Sequence, residues 1–503
     1  MPAWSSMFPT MNAWLCATLR PGCSVGRALL LFGYAVLMLF VGLDGGNPFV
    51  QYIPAGWVGA SQLPVAFLLG TKNNLLGVLL GRGYEKLNFL HRFVGRFLFL
   101  AVNVHSIGFL YLWHIKGTLS ENLTTNTIWG FVGLVCVDML FFLSLQAFRE
   151  ILYPLFYFSH VLAAIIILPA TALHERSTTP YVVAALAFYL FDRLLRLAQT
   201  RLTSAHLRAV PALGTVRVTI PTLGAGWRAG QHVRVKVLAA GMGWWGWAES
   251  HPFTIASCAD SEESEGVVLL CKSVGQWGGK LMELARKAEY CEAGGGSPRV
   301  RVLVDGPFGG PGHADIASYA AALLVAGGGG ISYPLAIAEE LLRDTSHGAS
   351  RVRSISLVWS VQDVSALDPM LPTFTRLLRN TRLTGTQLRI QLFHTRASTS
   401  PDPKVSPTAR FLPPGVSVRA GRPPIASLLS GVVDRTLELH KASDAYTPRG
   451  GEARSGPSGV FVGVCGPRAL GEDVARTVRQ FSAREERARS VGGVECQVEV
   501  FGW

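Results

Sequence analysis

The sequence predicts a multi-domain membrane protein: a six-helix transmembrane bundle, then a β-barrel domain, then a doubly wound α/β domain. Three observations predict it. Residues 27 to 200 are mostly long apolar runs, whereas the rest of the 503-residue chain mixes polar and apolar segments as a soluble protein does. From about residue 203, short strand-like runs follow one another across Gly-rich turns. After residue 318, strand-like runs alternate with helical ones, the pattern of a parallel sheet.

Six apolar stretches are long enough to span a bilayer, near 27–44, 61–81, 89–113, 127–148, 152–173 and 180–198. Lipid allows such runs only the helical form, because each backbone group must be paired within its own segment. Lys72, Arg82, Lys86 and Arg92 fall between the second and third runs, Arg149 between the fourth and fifth, and Arg193, Arg196, Arg201 and Arg208 at and beyond the end of the sixth. These are alternate connections, so they share one side, the cytoplasm, with Arg20, Arg27 and both chain termini. The N-glycosylation sequon Asn122-Leu123-Thr124 falls on the other side. Residues 1–26 lack an apolar core with a small-residue cleavage site and read as a cytoplasmic N-terminal segment.

Within the third run, His91 and His105 stand fourteen residues apart; within the fifth, so do His160 and His174. Fourteen steps of about 100° return to one face of a helix, with a rise of roughly 21 Å. Both runs enter from the cytoplasm, so His91 matches His160 in depth and His105 matches His174. Ionisable groups inside a membrane are costly and mark function. Four imidazoles at matched depths on two parallel helices can ligate two stacked haems, one His from each helix per iron. Arg92 and Arg96 either meet haem propionates or snorkel to the interface. His114, at the outer edge, either receives a metal substrate or is simply solvated.

The formal charge of +13 suits either an anionic membrane face or nucleic acid. Helix-turn-helix and zinc-knuckle patterns are absent, and many of the arginines flank apolar runs, so a membrane partner is expected and nucleic acid is not. The eight cysteines form no ladder, which suits a reducing compartment without a disulfide framework. The sequence shows no internal repeat.

In the soluble half, GTVRVTIP, GQHVRVKVL, HPFTIAS, GVVLLCKSVG and RVRVLVDGPFGG read as strands, interrupted by the helix GGKLMELARKAEY. Three segments resemble flavin-binding positions of ferredoxin-reductase-like proteins. His251-Pro252-Phe253-Thr254 resembles the segment against the isoalloxazine, where an aromatic face can cover the ring and a hydroxyl can reach the N5 edge. Gly230-Gln231-His232-Val233 resembles the strand packed beneath it. Lys272-Ser273-Val274-Gly275 with Gly278 and Gly279 resembles the pyrophosphate segment, in which small residues bare N–H groups at a helix start. Trp244, Trp245 and Trp247 pack in the barrel, touch the membrane surface, or lie on an electron path.

SYAAALLVAGGGGISYPLAIAEELL reads as strand, glycine turn and helix, with Gly327, Gly328, Gly329, Gly330, Ile331 and Ser332 forming the turn, Ser332 as cap and Pro334 in the first helical turn. Further strands are expected at SISLVWSVQD, LRIQLFHTR and GVFVGVCGP, with Asp305 to Gly309 as the hinge between barrel and sheet. Residues 397–410 and 441–458, rich in Ser, Pro, Gly and Arg, read as flexible insertions.

TKNNLLGVLLGRGYEKLNFLHRFVGRFLFLAVNVHSIG and FREILYPLFYFSHVLAAIIILPATALH resemble the transmembrane domain of fungal ferric reductases, which is shared with NADPH oxidases. That resemblance implies residues 27–200 as a haem domain, 203–312 as an FAD-binding β-barrel and 318–503 as an NAD(P)H-binding domain, with FAD, two b-type haems and NADPH as cofactors. The family's four haem-ligand positions are all His here. It also implies that Cys465, Gly466 and Pro467 lie beside the nicotinamide and that Trp503 covers the flavin; Cys465 by residue type alone is a small buried hydrophobe, but its place at the C-terminal edge of the sheet favours the site. Arg396 and Arg422 are candidates for the 2′-phosphate of NADPH. The expected activity is ferric or cupric chelate reduction in the plasma membrane, coupled to a metal permease or oxidase. Superoxide formation is the alternative. A third reading is a haem protein with an inactive reductase module. The very short segment 174–180 favours the metal acceptor, since NADPH oxidases carry a long segment there.

Overall fold

Apolar runs become helices in one unit of the chain, Thr18–Ala198, and alternating runs become two sheets in the other, Gln199–Trp503 with Met1–Ala17. The computed structural model describes residues 8, 11, 14–20, 22–43, 51–260, 265–293, 299–312, 314–396, 412–445, 457–484 and 486–500. Trp503 and the expected insertion 397–410 lie outside the described residues, as does most of 441–458, whose first five residues end a helix.

After a short pair of strands, β1 (Thr18–Arg20) and β2 (Cys23–Ser24), the helical unit contains α1 (Val25–Leu43), α2 (Ile53–Gly70), α3 (Leu75–Leu80), α4 (Tyr84–Lys116), α5 (Thr125–Phe142), α6 (Gln146–Ile151), α7 (Tyr153–His174) and α8 (Thr179–Gln199). Among the described residues five helices, α1, α2, α4, α5 and α7, are long and apolar enough to cross a membrane. The expected sixth, α8, is a helix but falls outside that class, because Asp192, Arg193 and Arg196 charge its last turns. It nevertheless runs along α2: Tyr181 meets the Trp57 ring, Tyr189 meets Phe67, and Asp192 meets the chain just after α2.

The second expected span, 61–81, is misplaced. Pro54 opens α2 eight residues earlier, and the helix ends where Thr71 turns extended. The polar stretch that follows is a built loop. Asn74 caps α3 by accepting from the N–H groups of Leu76 and Gly77. The fully buried Asp192 carboxylate accepts from the N–H groups of Lys72 and Asn73, at 3.1 and 2.8 Å, and pairs with Arg193. The fourth expected span, 127–148, breaks likewise, into α5 and α6, with Ser144 between them.

No sequence repeat announces it, yet α2–α3–α4 and α5–α6–α7 share one plan: a long helix, a short one, then a long helix packed against the first.

In the second unit, β3 (Arg201–Val210), β4 (Thr215–Ile220), β5 (Gln231–Val237), β6 (His251–Thr254), β7 (Val267–Lys272) and β8 (Arg299–Gly309) form an antiparallel sheet of order β6-β5-β8-β3-β4-β7. An Ile255–Leu269 bridge joins its two edges, which closes the barrel. Strand β3 begins two residues before the expected change of pattern. Its core face is Ala205, Leu207 and Ala209, joined by Val233, Val235 and Val237 of β5. A short helix α9 (Gly243–Gly246) precedes β6, and α10 (Gly275–Ala293) packs Trp277, Leu281 and Ala285 into the same core. Asp305 to Gly309 are not a hinge. They end β8, paired to β5 across a register shift between His232 and Arg234.

The α/β part has β9 (Ala321–Gly327), α11 (Ser332–Ser346), β10 (Ser354–Val361), α12 (Leu371–Thr384), β11 (Gln387–His394), β12 (Val416–Ala420), α13 (Ile425–Ala445), β13 (Val460–Gly466), α14 (Arg468–Arg484), α15 (Glu486–Ser490) and β14 (Val494–Val500). All six strands are parallel, in the order β12-β11-β10-β9-β13-β14. The alternation along β9 shows why helices cover both faces: Ala322, Leu324 and Ala326 pack with α11 and α12, while Ala321, Leu323 and Val325 pack with α13 and α14.

Asp192→Ala should strip the half-buried N–H groups of Lys72 and Asn73 of their acceptor, a loss of ~1–3 kcal/mol. The expected result is a lower detergent-solubilised unfolding temperature, with Asp192→Asn, which keeps an oxygen acceptor, falling less.

Candidate functional site

The helical unit brings the four histidines together as two pairs. The ring centres of His91 and His160 are 6.2 Å apart, and those of His105 and His174 are 6.1 Å apart. Each ring is held at Nδ1. His91 donates to the Ala66 carbonyl at 2.9 Å, His105 to the Tyr52 carbonyl at 2.8 Å and His174 to the Asn126 carbonyl at 2.9 Å. His160 is held instead by the Ser144 hydroxyl at 3.1 Å. A carbonyl only accepts, so the proton of those three rings sits on Nδ1 and the Nε2 lone pair is left for a ligand.

These anchors were not foreseen from the sequence. A Cβ at Gly56 would stand 2.7 Å from His105 Nδ1, one at Gly70 3.2 Å from His91 Cε1, and one at Gly130 2.6 Å from His174 Nδ1. Glycine at these points lets an imidazole lie on the neighbouring backbone. Gly56 and Gly70 are fourteen residues apart, as are Gly130 and Ser144. The signal was therefore present: small residues repeat the histidine spacing, within α2 in one case and from α5 to the turn after it in the other.

The donor set fits a bis-imidazole haem. Two rings bound through Nε2 to opposite sides of one metal atom have centres ~6 Å apart, given His–metal bonds of about 2 Å and about 1 Å from nitrogen to ring centre. Each pair supplies two nitrogens only, and a porphyrin supplies the remaining four. Arg92, Arg96 and His114 are exposed. The turn from α7 to α8 is a single 3-10 turn, Arg176–Thr178.

In the barrel, the alternation along β6 separates its four residues. Pro252 and Thr254 register with Arg234 and His232 on one face. His251 and Phe253 register with the core residues Val235 and Val233, and their rings lie 4.3 and 5.8 Å from Trp277. The Phe253 ring thus packs at the barrel core rather than on the face that carries Thr254. His251 also bonds Glu249 at 3.0 Å; burial lowers its pKa, and that bond partly offsets the effect. At the end of β7, Ser273 donates to the Gly214 carbonyl at 3.0 Å and Lys272 is exposed. A Cβ at Gly278 would meet the Lys272 carbonyl at 2.9 Å, so α10 starts hard against the strand end. Gly279 opens no such contact.

The glycine turn follows β9 as a 3-10 turn, Gly328–Ile331, and leads straight into α11. Ser332 is therefore the first residue of the helix, buried and without a side-chain cap bond, not the expected cap. Trp359, unforeseen, pins the turn by donating to the Gly328 carbonyl at 2.9 Å. A Cβ at Gly330 would meet the Cys465 carbonyl at 2.4 Å, and one at Gly327 would meet Pro467 Cδ at 2.7 Å. The turn and Cys465-Gly466-Pro467 thus lie together at the C-terminal edge of the sheet. Cys465 is fully buried within the apolar core, and the edge presents Gly466 and Pro467. The Lys272 chain comes within 4.0 Å of a Cβ at Gly329, bringing the barrel segment to the same turn. Arg396 and Arg422 are exposed, each two residues beyond the paired ends His394 and Ala420 of β11 and β12.

Residues 55–171 match the family described as ferric reductase like transmembrane component, residues 204–312 the FAD-binding domain, and residues 319–479 the ferric reductase NAD binding domain. The chain is 28% identical over 330 residues to ferric reductase transmembrane component 4 of Saccharomyces cerevisiae, covering 64% of this chain and 43% of that protein. It is 26% identical over 327 residues to ferric/cupric reductase transmembrane component 2 of the same yeast, covering 63% and 44%. Against ferric reductase transmembrane component 1 of Schizosaccharomyces pombe it is 26% identical over 367 residues, covering 65% and 63%. The chain thus spans about half the length of the relatives it matches.

Gly130→Val and Gly56→Val should each push one imidazole off its carbonyl and weaken one haem site by ~10–100-fold. Both glycines face the His105–His174 pair, so the check is haem content per protein from the Soret band: each variant should lose about one of two equivalents, and the double variant should lose no more than either single one.

Proposed function

We propose, from the premise that the chain joins a ferric reductase like transmembrane component to an FAD-binding domain and a ferric reductase NAD binding domain, that it is a transmembrane metalloreductase. It takes electrons from cytosolic NADPH and delivers them to a ferric or cupric chelate on the far side of the membrane, in support of iron or copper uptake. The domains are 27–200 for haem, 203–312 for FAD and 318–503 for NAD(P)H. Plasma membrane is the proposed location, with both termini cytoplasmic and a metal permease or oxidase as downstream partner.

One observation carries the reading: four Nδ1-anchored imidazoles form two facing pairs 6.2 and 6.1 Å apart on helices that share one fourteen-residue step. His91 with His160, and His105 with His174, would hold two b-type haems about 21 Å apart along the helices. FAD, when bound, accepts a hydride and passes on single electrons, which haem iron takes one at a time. The chain's own residues do the rest. Thr254 and Pro252, beside His232 and Arg234, offer a polar face for the flavin, and Lys272, Ser273, Gly278 and Gly279 hold its pyrophosphate. Gly327 to Ser332 let a dinucleotide approach the start of α11. Gly466 and Pro467 flank the nicotinamide, and Arg396 and Arg422 pair with the 2′-phosphate. No acid or base is required for outer-sphere transfer to a metal ion.

The shortness of the connection from α7 to α8, a single 3-10 turn at Arg176–Thr178, supports a bulky metal chelate as acceptor. Superoxide formation is the second reading.

In purified protein, anaerobic NADPH with FAD should reduce the haem bands, and a ferric chelate should reoxidise them at once. Reoxidation by oxygen alone, with stoichiometric superoxide, would replace the metal acceptor by oxygen. Absence of haem bands would overturn the role of the four histidines. Arg396→Ala and Arg422→Ala should each raise KM for NADPH about ten-fold and leave that for NADH unchanged, as expected for loss of a hydrogen bond to a charged phosphate. Equal effects on both nucleotides would remove these arginines from the 2′-phosphate.

A further inference from the structure

The connection from β5 to β6 is a folded loop with its aromatic residues turned outward. Met242 is fully buried in the barrel core, and Trp277 Nε1 donates to the Gly246 carbonyl at 3.1 Å. Trp247 Nε1 donates to the Trp244 carbonyl at 2.7 Å. The loop is thus pinned from within, yet Trp244, Trp245 and Trp247 are 83%, 71% and 52% exposed. That overturns barrel packing as their role. Three adjacent indoles held in water mark a surface with a partner.

The charge around the loop says which partner. Leu238 N–H donates to the Arg301 carbonyl at 2.8 Å, which seats the start of the loop on β8. On the outer face there, opposite the buried Val235, Val237, Val302 and Val304, the strands carry Lys236, Arg299 and Arg301. Lys280 Nζ lies 2.6 Å from where a Cβ on Gly243 would stand. The acidic residue of the loop, Glu249, is bonded to His251. Indoles beside a cluster of cations match the interface of an anionic bilayer, where Trp settles at headgroup depth and Lys and Arg meet anionic lipid.

The chain keeps a bilayer within reach. Helix α8 ends at Gln199 and β3 begins at Arg201. Arg201 registers with Val304, Val304 with Val235, and Val235 with His251, so the tether enters in the row of the sheet where the loop rejoins β6. Three strand spacings separate the two, ~14 Å.

We propose that Trp244, Trp245 and Trp247, with Lys236, Lys280, Arg299 and Arg301, form a lipid-binding foot that seats the barrel on anionic membrane. The foot requires that the helical unit be embedded in a membrane and is independent of which acceptor the chain reduces.

The test uses the full chain in nanodiscs of phosphatidylcholine with or without phosphatidylserine, and the variant with all three Trp changed to Ser. The difference in emission between the two proteins reports these indoles alone. With phosphatidylserine present, more than about half of that difference should be quenched by lipid brominated near the headgroup and shielded from aqueous acrylamide. Lys236→Glu with Arg299→Glu and Arg301→Glu should abolish the gain due to phosphatidylserine. Single Trp→Phe variants repeat the reading one indole at a time if the triple variant fails to fold. Quenching by acrylamide and not by brominated lipid would overturn the proposal. Shielding from both would overturn it too, because protein rather than lipid would then cover the loop.

Discussion

An imidazole placed among lipid-facing helices must find a partner for Nδ1–H, and in this chain the partner is nearly always a backbone carbonyl of the next helix. That need sets the spacing of the helices. A carbonyl can be reached at 2.8 to 2.9 Å only if no side chain stands between, so the neighbouring helix carries glycine opposite three of the rings. Because α4 and α7 each bear two rings fourteen residues apart, the small residues facing them are fourteen apart as well, Gly56 and Gly70 on α2, and Gly130 on α5 with Ser144 in the turn after it. The two hairpins follow from one rule applied twice. The fixed loop after α2, held by Asp192 and capped by Asn74, keeps Gly70 level with His91.

The sheet unit is governed by a different economy. Each strand has one face committed to a core, and function is left with the other face and with strand ends. Along β5 and β6 the committed residues are Val233, Val235 and Phe253, so His232, Arg234, Pro252 and Thr254 share what remains. In the parallel sheet both faces are committed, and chemistry is confined to the C-terminal edge. There Gly330 lies against Cys465, Gly327 against Pro467, and the Lys272 chain near Gly329. Motifs some sixty to two hundred residues apart in sequence thus converge through the closeness that glycine permits, with Trp359 fixing the turn from below.

This division explains what the sequence disclosed. The histidine pairs were legible because fourteen residues within one helix is a local relation, and matched depth needs only the direction of each helix. Their anchors were not, because Tyr52 with His105 and Asn126 with His174 are contacts between helices. The start of α2 was missed because Pro54, Gly56 and Gly59 lower the apparent apolarity of a helix that they in fact open and allow to pack. Strands β12 and β14 escaped notice because Val416–Ala420 is short and Val494–Val500 alternates apolar residues with Glu and Gln. The face that Phe253 takes was not legible because four letters carry no register; pairing with Val233 sets it. Ser332 matched the letters of a cap, but the 3-10 turn before it makes the entry to the helix continuous.

One of the four ring anchors departs from the rule, and the departure has a direction. His91, His105 and His174 lean on carbonyls, which belong to the backbone and cannot change without moving a helix. His160 leans on the Ser144 hydroxyl, fourteen residues beyond Gly130, which faces His174. A hydroxyl both donates and accepts, so it fixes the tautomer of the ring less firmly than a carbonyl and can polarise it either way. The partner of a ligating imidazole tunes the basicity of the ring and, through it, a bound metal. Three positions are therefore set by the fold and one by a side chain. That one belongs to the His91–His160 pair, which is therefore the pair in which a single side chain can adjust the basicity of a ring.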